Sequence, residues 1–430
     1  MKFLKIALGL AILGAHTSVS GMSVPPGAES VPVCSRIGVR KEVRSLTSAE
    51  WQAYANAVAA AYNDKWIDWF GFYHNIVAET VHGSSQFLVF HRHFINSYED
   101  ILQRYNPAVM VPYWNMMVDF QNPASSAVLG SKYLGGNGAG ANGCVTTGIS
   151  KSWTLVYPKS RCLSRAYNNG NTINSWYSPE YVTSVMQRSK TYAELRAGIE
   201  NSVHGAVHLA LNGEMSTMHS PTDPVFFLHH TNIDRLYSQW QAVKPATRTY
   251  MYDGVDVKNV PVKVNDVIVG TSTPVYAVMR LGYGNMCYTY DTIKAANGDA
   301  SALVKRQQRP RKCIVRPSPA AQQIIKQLPP KVLAKFYPSF ANGAAGHPLE
   351  NELVATSPLQ PMAADSCAKD FKAPPPNENM RGKMPYPSKL PDDWIKMQGS
   401  TVAEVRALEK AADDMVDALN RANYLSPYMV

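Results

Sequence analysis

The stretch DPVFFLHHTNID, residues 223–234, sets His229 and His230 side by side in an apolar run. It is part of a wider pattern, because eight of the eleven histidines fall in two clusters, four at 74–93 and four at 204, 208, 229 and 230. Imidazole buried without a partner is costly. The helices that carry these rings must therefore bring them together, which constrains the fold more than any other feature of the chain.

In the first cluster, FYHNIVAETVHGSSQFLVFHRHFINSYED, Phe87, His91, Phe94 and Tyr98 recur at helical spacing and share one buried face. His91 therefore points inward. His93 lies about 200° further round the helix and faces elsewhere. His82 precedes Gly83-Ser84-Ser85, a helix start, and can approach the same point from the preceding turn, with His74 eight residues earlier. In the second cluster, IENSVHGAVHLALNGEM, His204 and His208 stand at i, i+4 and project from one side of a helix. Phe226, His230, Ile233 and Tyr237 make one face of the next helix, so His230 points at the core, with Asp234 a turn later to orient it. His229 is the lesser candidate, suited to a supporting hydrogen bond or a backbone carbonyl.

A lone histidine on an apolar face is more often a satisfied core residue than a ligand. Six at these spacings reverse that expectation. Neither cluster offers cysteine, and the nearby carboxylates sit where they would orient rather than ligate. Three imidazoles for each of two metals suit copper, although imidazole also binds zinc, iron and nickel. A zinc hydrolase with an H-E-x-x-H helix is excluded, since position 205 is glycine.

The start of the chain has Lys2 and Lys5 before an apolar stretch and small residues Ser18 and Ser20, which reads as a secretory signal over 1–20. The expected organisation continues with a catalytic domain at 21–291, a basic linker at 292–312 and a C-terminal extension at 313–430. Helices are predicted at about 48–62, 84–104, 190–211, 225–241 and 400–424, the first with Thr47 and Glu50 spaced as a capping box. The interval 105–180 reads as long loops, and 249–290, with VPVKVNDVIVG and CYTYD, as short strands. The class is mainly α, with long loops and a few short strands.

Export gives the six cysteines an oxidising compartment, in which Cys144 and Cys162, bracketing a Gly-, Asn- and Ser-rich loop, are the first candidates for a disulfide. The formal net charge of +10 is spread along the chain, and its densest run, KRQQRPRK at 305–312, lacks interleaved aromatics. No nucleic-acid partner and no stable membrane insertion are expected.

HGSSQFLVFHRHFINSYE resembles the first-copper signature of the type 3 copper proteins, the family of tyrosinases, catechol oxidases and molluscan hemocyanin units, with Ile95 where Leu or Met is more usual. DPVFFLHHTNID is similar to the second-copper signature throughout. The likeness covers about 34–291, and the short interval from His74 to His82 looks most like the short secreted fungal-type enzymes. It implies a central four-helix bundle holding a dinuclear copper site, with His74, His82 and His91 on the first copper and His204, His208 and His230 on the second. The implied cofactors are two copper ions with O2 as co-substrate, and the implied activity is oxidation of small phenols and o-diphenols to o-quinones. The substrate ring is expected over His230.

By the same likeness Glu200, one turn before His204, holds a water and assists phenol deprotonation, and Tyr288 and Tyr290 form the closing Tyr-x-Tyr motif. Gly205 stands where strong monophenol hydroxylases often carry Asn, which favours catechol oxidation over hydroxylation. Thr80 stands where many relatives have a cysteine bonded to the histidine, so no thioether forms. Ser216, Thr217, Met218 and His219 are candidates for lining the entrance. A hemocyanin-like O2 carrier without turnover is the alternative, although such carriers are commonly arrays and this chain has no repeats. Many relatives carry a C-terminal segment that covers the site until proteolysis, a role open to 313–430 alongside docking or oligomerisation.

Overall fold

Helix formation begins where the sequence supplies a cap. The Glu50 amide donates to the Thr47 hydroxyl at 3.2 Å and the Thr47 amide donates to the Glu50 carboxylate at 2.8 Å. This is the expected reciprocal box, and it opens α1 (Ser48–Asn63). The computed structural model describes residues 22–292, 319–342 and 382–429. The signal expected at 1–20, the basic run at 305–312, Cys313 and Cys367 lie outside those residues.

Next come α2 (Trp66–Val81) and α3 (Gln86–Tyr105). The sequence pattern does not single out α2 as a helix. Trp69, Phe72 and Ile76 remain exposed on its outer face, so its apolar pattern runs nearly all round and hides the 3.6-residue period. After the long irregular stretch comes α4 (Pro179–Arg188), also unexpected, although Ser178 caps it and Pro179 occupies its first position. The predicted helix at 190–211 is α5 (Tyr192–Ile199), a π turn (Glu200–His204) and α6 (Gly205–Leu211). A π turn adds a residue to one turn and re-aims the side chains beyond it. All 19 residues of α7 (Val225–Val243) are buried. It is the central helix, lying along α3.

The interval 105–180 is mostly irregular, as expected, with short 3-10 turns and one small hairpin, β2 (Thr154–Leu155) with β3 (Arg161–Cys162). The expected disulfide Cys144–Cys162 is present beside it. A second joins Cys34 to Cys287, next to the parallel pairing of β1 (Gly38–Arg40) with β4 (Tyr288–Tyr290). The strands expected within VPVKVNDVIVG do not form. Val260 and Val267 are exposed there, and the segment makes turns and isolated bridges, its carbonyls at Val267 and Gly270 accepting from Gln86 and Tyr73. Alternating β-branched residues need a neighbouring strand, and none is offered.

From residue 319 onward the described chain returns to the body. Helices α8 (Pro319–Gln327) and α9 (Pro330–Phe336) precede α10 (Asp392–Met397) and α11 (Val402–Arg421), the last close to its expected place. Tyr337, Phe340, Met415 and Leu419 join the main apolar core. The hydroxyls of Tyr424 and Ser426 donate to the buried carboxylate of Glu180 on α4, at 3.2 and 2.6 Å.

Asp234 is not placed as expected. Its Oδ1 accepts from Arg92 Nε at 2.5 Å, and its Oδ2 accepts from the hydroxyls of Tyr288 and Tyr290, both at 2.6 Å. Arg40 Nη1 lies 3.6 Å from Oδ2, while Arg40 also pairs with Glu99 at 3.0 Å. The carboxylate is thus committed to the scaffold, and His230 Nδ1 has no hydrogen-bond partner. Burial alone would raise the Asp234 carboxyl, but the two guanidiniums and two hydroxyls hold it below its ordinary range. Replacing Asp234 with Asn leaves Arg92 short of its charge partner in the core and should cost about 3–5 kcal/mol in denaturant unfolding. Tyr290→Phe, which leaves the ion pair intact, should cost about 1–3 kcal/mol; equal losses would contradict a scaffold centred on the carboxylate.

Candidate metal centre

Two groups of histidines meet in the middle of the bundle. His74 on α2, His82 in the turn after it and His91 on α3 form one, with ligand atoms within 4.8 Å of one another. His204, His208, His229 and His230 form the other by the same measure. All seven rings are buried. The stacked rings of His91 and His230 join the groups, with centroids 4.1 Å apart and planes 17° from parallel. His93 belongs to neither group, as its position on the helix predicts.

In four of the rings the hydrogen bonds decide which nitrogen is free. His74 Nδ1 lies 2.6 Å from the Met218 carbonyl, and His91 Nδ1 lies 2.8 Å from that of Phe87. His204 Nδ1 is 3.2 Å from the Glu200 carbonyl, and His208 Nδ1 is 2.6 Å from that of Met215. A carbonyl can only accept, so each Nδ1 carries the proton and each Nε2 keeps a lone pair. His74 Nε2 and His91 Nε2, both freed in this way, stand 3.3 Å apart, and the same distance separates His82 Nε2 from His74 Nε2 and His208 Nε2 from His230 Nε2, although neither His82 nor His230 has a hydrogen-bond partner on Nδ1. His204 Nε2 is buried without a hydrogen-bond partner.

The lone pairs of His74 and His91 repel at this distance unless a cation lies between them. An edge of 3.3 Å is what a tetrahedral centre gives when each nitrogen is about 2.0 Å from the ion. Imidazole-only donor sets suit copper, so the residues fit the dinuclear copper site that the sequence implies. Burial, and after it the neighbouring rings, holds the pKa values of His74, His91, His204 and His230 well below the ordinary imidazole range. Burial brings His208 down to about 4. Neutral rings are what a metal requires.

His229 is stacked on His204, with centroids 5.5 Å apart, and leans toward the His204 main chain, yet neither of its nitrogens makes a hydrogen bond of ordinary geometry. The supporting hydrogen bond expected of it is therefore not formed. The 3.3 Å edge to His208 belongs to His230. Phe87 packs 4.8 Å from both His91 and His204, and Phe226 packs 4.1 Å from His230, which walls the rings off from water.

Glu200 sits on the π turn with His204 but reaches the other group. Its Oε1 accepts from the Gly83 amide at 2.9 Å and stands 3.4 Å from His82 Nδ1, while Oε2 accepts from Arg196 at 3.0 Å. Within the segment expected to line the entrance, the Met218 carbonyl orients His74, and the carbonyl of Met215, just before it, orients His208. Thr217 donates to the Glu214 carbonyl, and His219 Nε2 lies 3.3 Å from the Glu214 carboxylate. Thr80 donates to the Val77 carbonyl and leaves the His82 side chain unattached.

Sequence reasoning also missed the residues over the second group. Trp394 on α10 lies 6.4 Å from the His204 ring, Ser400 donates to Asn201 at 2.8 Å, and Gly399 lies against Gly83. Gly83 has φ +67°. A side chain there would be strained and would strike the Gly399 carbonyl at 2.5 Å.

Residues 52–243 match the common central domain of tyrosinase. A tyrosinase of Streptomyces lincolnensis is 33% identical over 227 residues, covering 47% of this chain and 82% of that protein. The tyrosinase ustQ of Aspergillus flavus is 29% identical over 323 residues, covering 67% of this chain and 90% of that protein. Among solved structures, a polyphenol oxidase variant of Thermothelomyces thermophila aligns with 60% of this chain and 90% of its own, at 22% identity and a TM-score of 0.49.

The lowered histidine pKa values predict how the metal-free protein responds to acid. Between the unfolded value of about 6.5 and the folded value of about 4 for His208, only the unfolded chain takes up the proton. Stability therefore falls with pH across that window, by about 1.4 kcal/mol per unit for this one ring. Urea unfolding of metal-free protein at pH 7 and pH 5 measures the loss, and His208→Phe should reduce it by the share of this one ring. Equal stability at both values would contradict neutral rings buried in the absence of metal.

Proposed function

We propose that this chain, which belongs to the tyrosinase family of type 3 copper proteins, oxidises small o-diphenols to o-quinones with dioxygen. Two diphenols and one O2 give two quinones and two waters. The observation that supports this reading is the pair of imidazole groups, in which His74, His91, His204 and His208 have Nδ1 fixed on main-chain carbonyls and Nε2 left free. In the proposal His74, His82 and His91 hold the first copper, and His204, His208 and His230 the second. When bound, the copper pair supplies the place for dioxygen and accepts the electrons of the diphenol.

The chain supplies the rest. Phe87 and Phe226 exclude water from the rings, which keeps a reactive oxidant from side reactions. The phenolic ring expected over His230 does not have that ring to itself, since His91 stacks on it and Phe226 packs against it, both with centroids 4.1 Å away. Glu200 is the carboxylate beside the site, and we assign it the proton of the substrate hydroxyl. Gly205 offers no side-chain amide and both Glu200 oxygens already accept from Gly83 and Arg196, which weakens the hold on a water there. The proposal therefore favours diphenol oxidation over hydroxylation of monophenols. Export is part of it, since the two disulfides suit an oxidising compartment.

The proposal also gives the C-terminal extension the role of a cover. It is supported by Trp394, Gly399 and Ser400 lying against His204, Gly83 and Asn201. Protein cut within 293–318 and freed of the tail should turn over catechol about tenfold faster or more, with copper content reporting that the bundle survives. Unchanged turnover after complete removal would sink the cover.

Copper-loaded protein should oxidise catechol at least about tenfold faster than it hydroxylates tyrosol. His91→Ala and His208→Ala should each lower the bound copper from two ions towards one and cut catechol turnover by more than about a hundredfold. Two bound coppers with reversible oxygenation and no quinone, in protein freed of its tail, would support an oxygen carrier instead.

A further inference from the structure

Gly205 is a glycine without a backbone reason. Its φ of −61° and ψ of −37° are those of an ordinary helix, and glycine inside a helix weakens it relative to alanine. The weakness falls on α6, next to His204 and one turn before His208. What excludes a side chain is the tail. A Cβ on Gly205 would lie 2.7 Å from Cη2 and 2.8 Å from Cζ3 of Trp394, and 3.1 Å from Cδ1 of Leu390.

Trp394 belongs to a small apolar cluster with Leu390, Ile395 and Val405, against which Val402 and Leu209 of α6 pack. Its indole N–H is buried with no hydrogen-bond partner. A buried tryptophan usually finds one, so this ring is held by fit alone. The fit needs the groove that Gly205 leaves. A second close approach keeps the register, with Gly83 beneath Gly399, and the neighbouring Ser400 adds its bond to Asn201.

We propose that Gly205 is the seat of Trp394: the position after His204 lacks a side chain so that the tail's indole can close over the second histidine group, and any side chain at 205 lifts the tail. The inference rests on the reading of the tail as a cover, and it names the contact that regulates the site. Trp394 then occupies the space over His204, on the side of the second group that an incoming ring has to pass. A substitution at 205 also changes two things together, the surroundings of the second group and the closure of the tail, so its effect on turnover does not report the site chemistry alone.

The test is hydrogen exchange by mass spectrometry on the full-length, metal-free protein. Gly205→Ala should speed exchange across 390–400 by about tenfold or more while α3 keeps its protection. Trp394→Leu on its own removes packing against Gly205 and should loosen the tail, yet added to Gly205→Ala it removes the clash and should tighten it. That reversal of sign is the expected result. Wild-type protection in Gly205→Ala, or a Trp394→Leu effect of the same sign with and without Gly205→Ala, overturns the seat. If Gly205→Ala loosens α3 as well, the sign comparison still decides. No turnover is measured, so failure here leaves the oxidase reading standing, and a protein that shows the reversal but oxidises no diphenol keeps the seat and loses the oxidase.

Discussion

The carboxylate of Asp234 is taken up on both oxygens, by Arg92 of α3 and by Tyr288 and Tyr290 of β4, and this fixes α3 against α7. His230 stands one turn before Asp234 on α7 and His91 immediately before Arg92 on α3, and the stack of His91 on His230 follows from the alignment of the two helices. A buried charge left alone is expensive, so the carboxylate demands its cations. Arg92 also donates to Ser238 and the Met279 carbonyl, and Arg40 lies 3.4 Å above the Tyr288 ring. The disulfide from Cys34 to Cys287 closes the same arrangement from outside, beside the pairing of β1 with β4. The Tyr-x-Tyr motif thus belongs to the scaffold.

Within that scaffold the rings could still turn, and what stops them comes from two sources. His91 and His204 are held by carbonyls one turn back on their own helices, at Phe87 and Glu200. His74 and His208 are held by carbonyls of the segment between α6 and α7, at Met218 and Met215. That segment crosses from one group to the other, so a single stretch of main chain orients a ring in each. Its short 3-10 turns leave carbonyls without helical partners, and these are the acceptors the imidazoles need. Preorganisation of this kind holds the free nitrogens in place before any ion arrives.

Much of this was legible because helical periodicity is local. The spacing of Phe87, His91, Phe94 and Tyr98 put His91 inward and His93 outward, and the i, i+4 pair His204 and His208 read as one face, although a π turn lies just before it. Thr47 and Glu50 announced α1. Asp234 was misread because a carboxylate one turn from a histidine has the right spacing to orient it, while its stronger partners come from distant residues that spacing cannot reveal. The expected strands failed for a related reason, since a β pattern says nothing about whether a partner strand exists. Gly205 was read through what is missing from its own position. The cause lies in Trp394, far along the chain, and only the fold brings the two together.

The tail is held unequally along its length, and this bears on how a cover could open. The last part of α11 enters the main core through Met415, Val416 and Leu419, and beyond it Tyr424 and Ser426 are tied to Glu180. The first part of α11 and all of α10 rest on the separate, smaller cluster around Trp394 and Ile395. Apolar stabilisation grows with the area buried, so the stretch through α10 is the weaker attachment, while α8, α9 and the end of α11 belong to the body. Cutting the chain between the catalytic domain and the tail removes none of these contacts. Release of the far end would expose a face of α4 built to be covered, whereas lifting α10 would uncover the second histidine group and leave that face intact. Local opening favours the unit with the least buried apolar surface, which here is the one that carries Trp394.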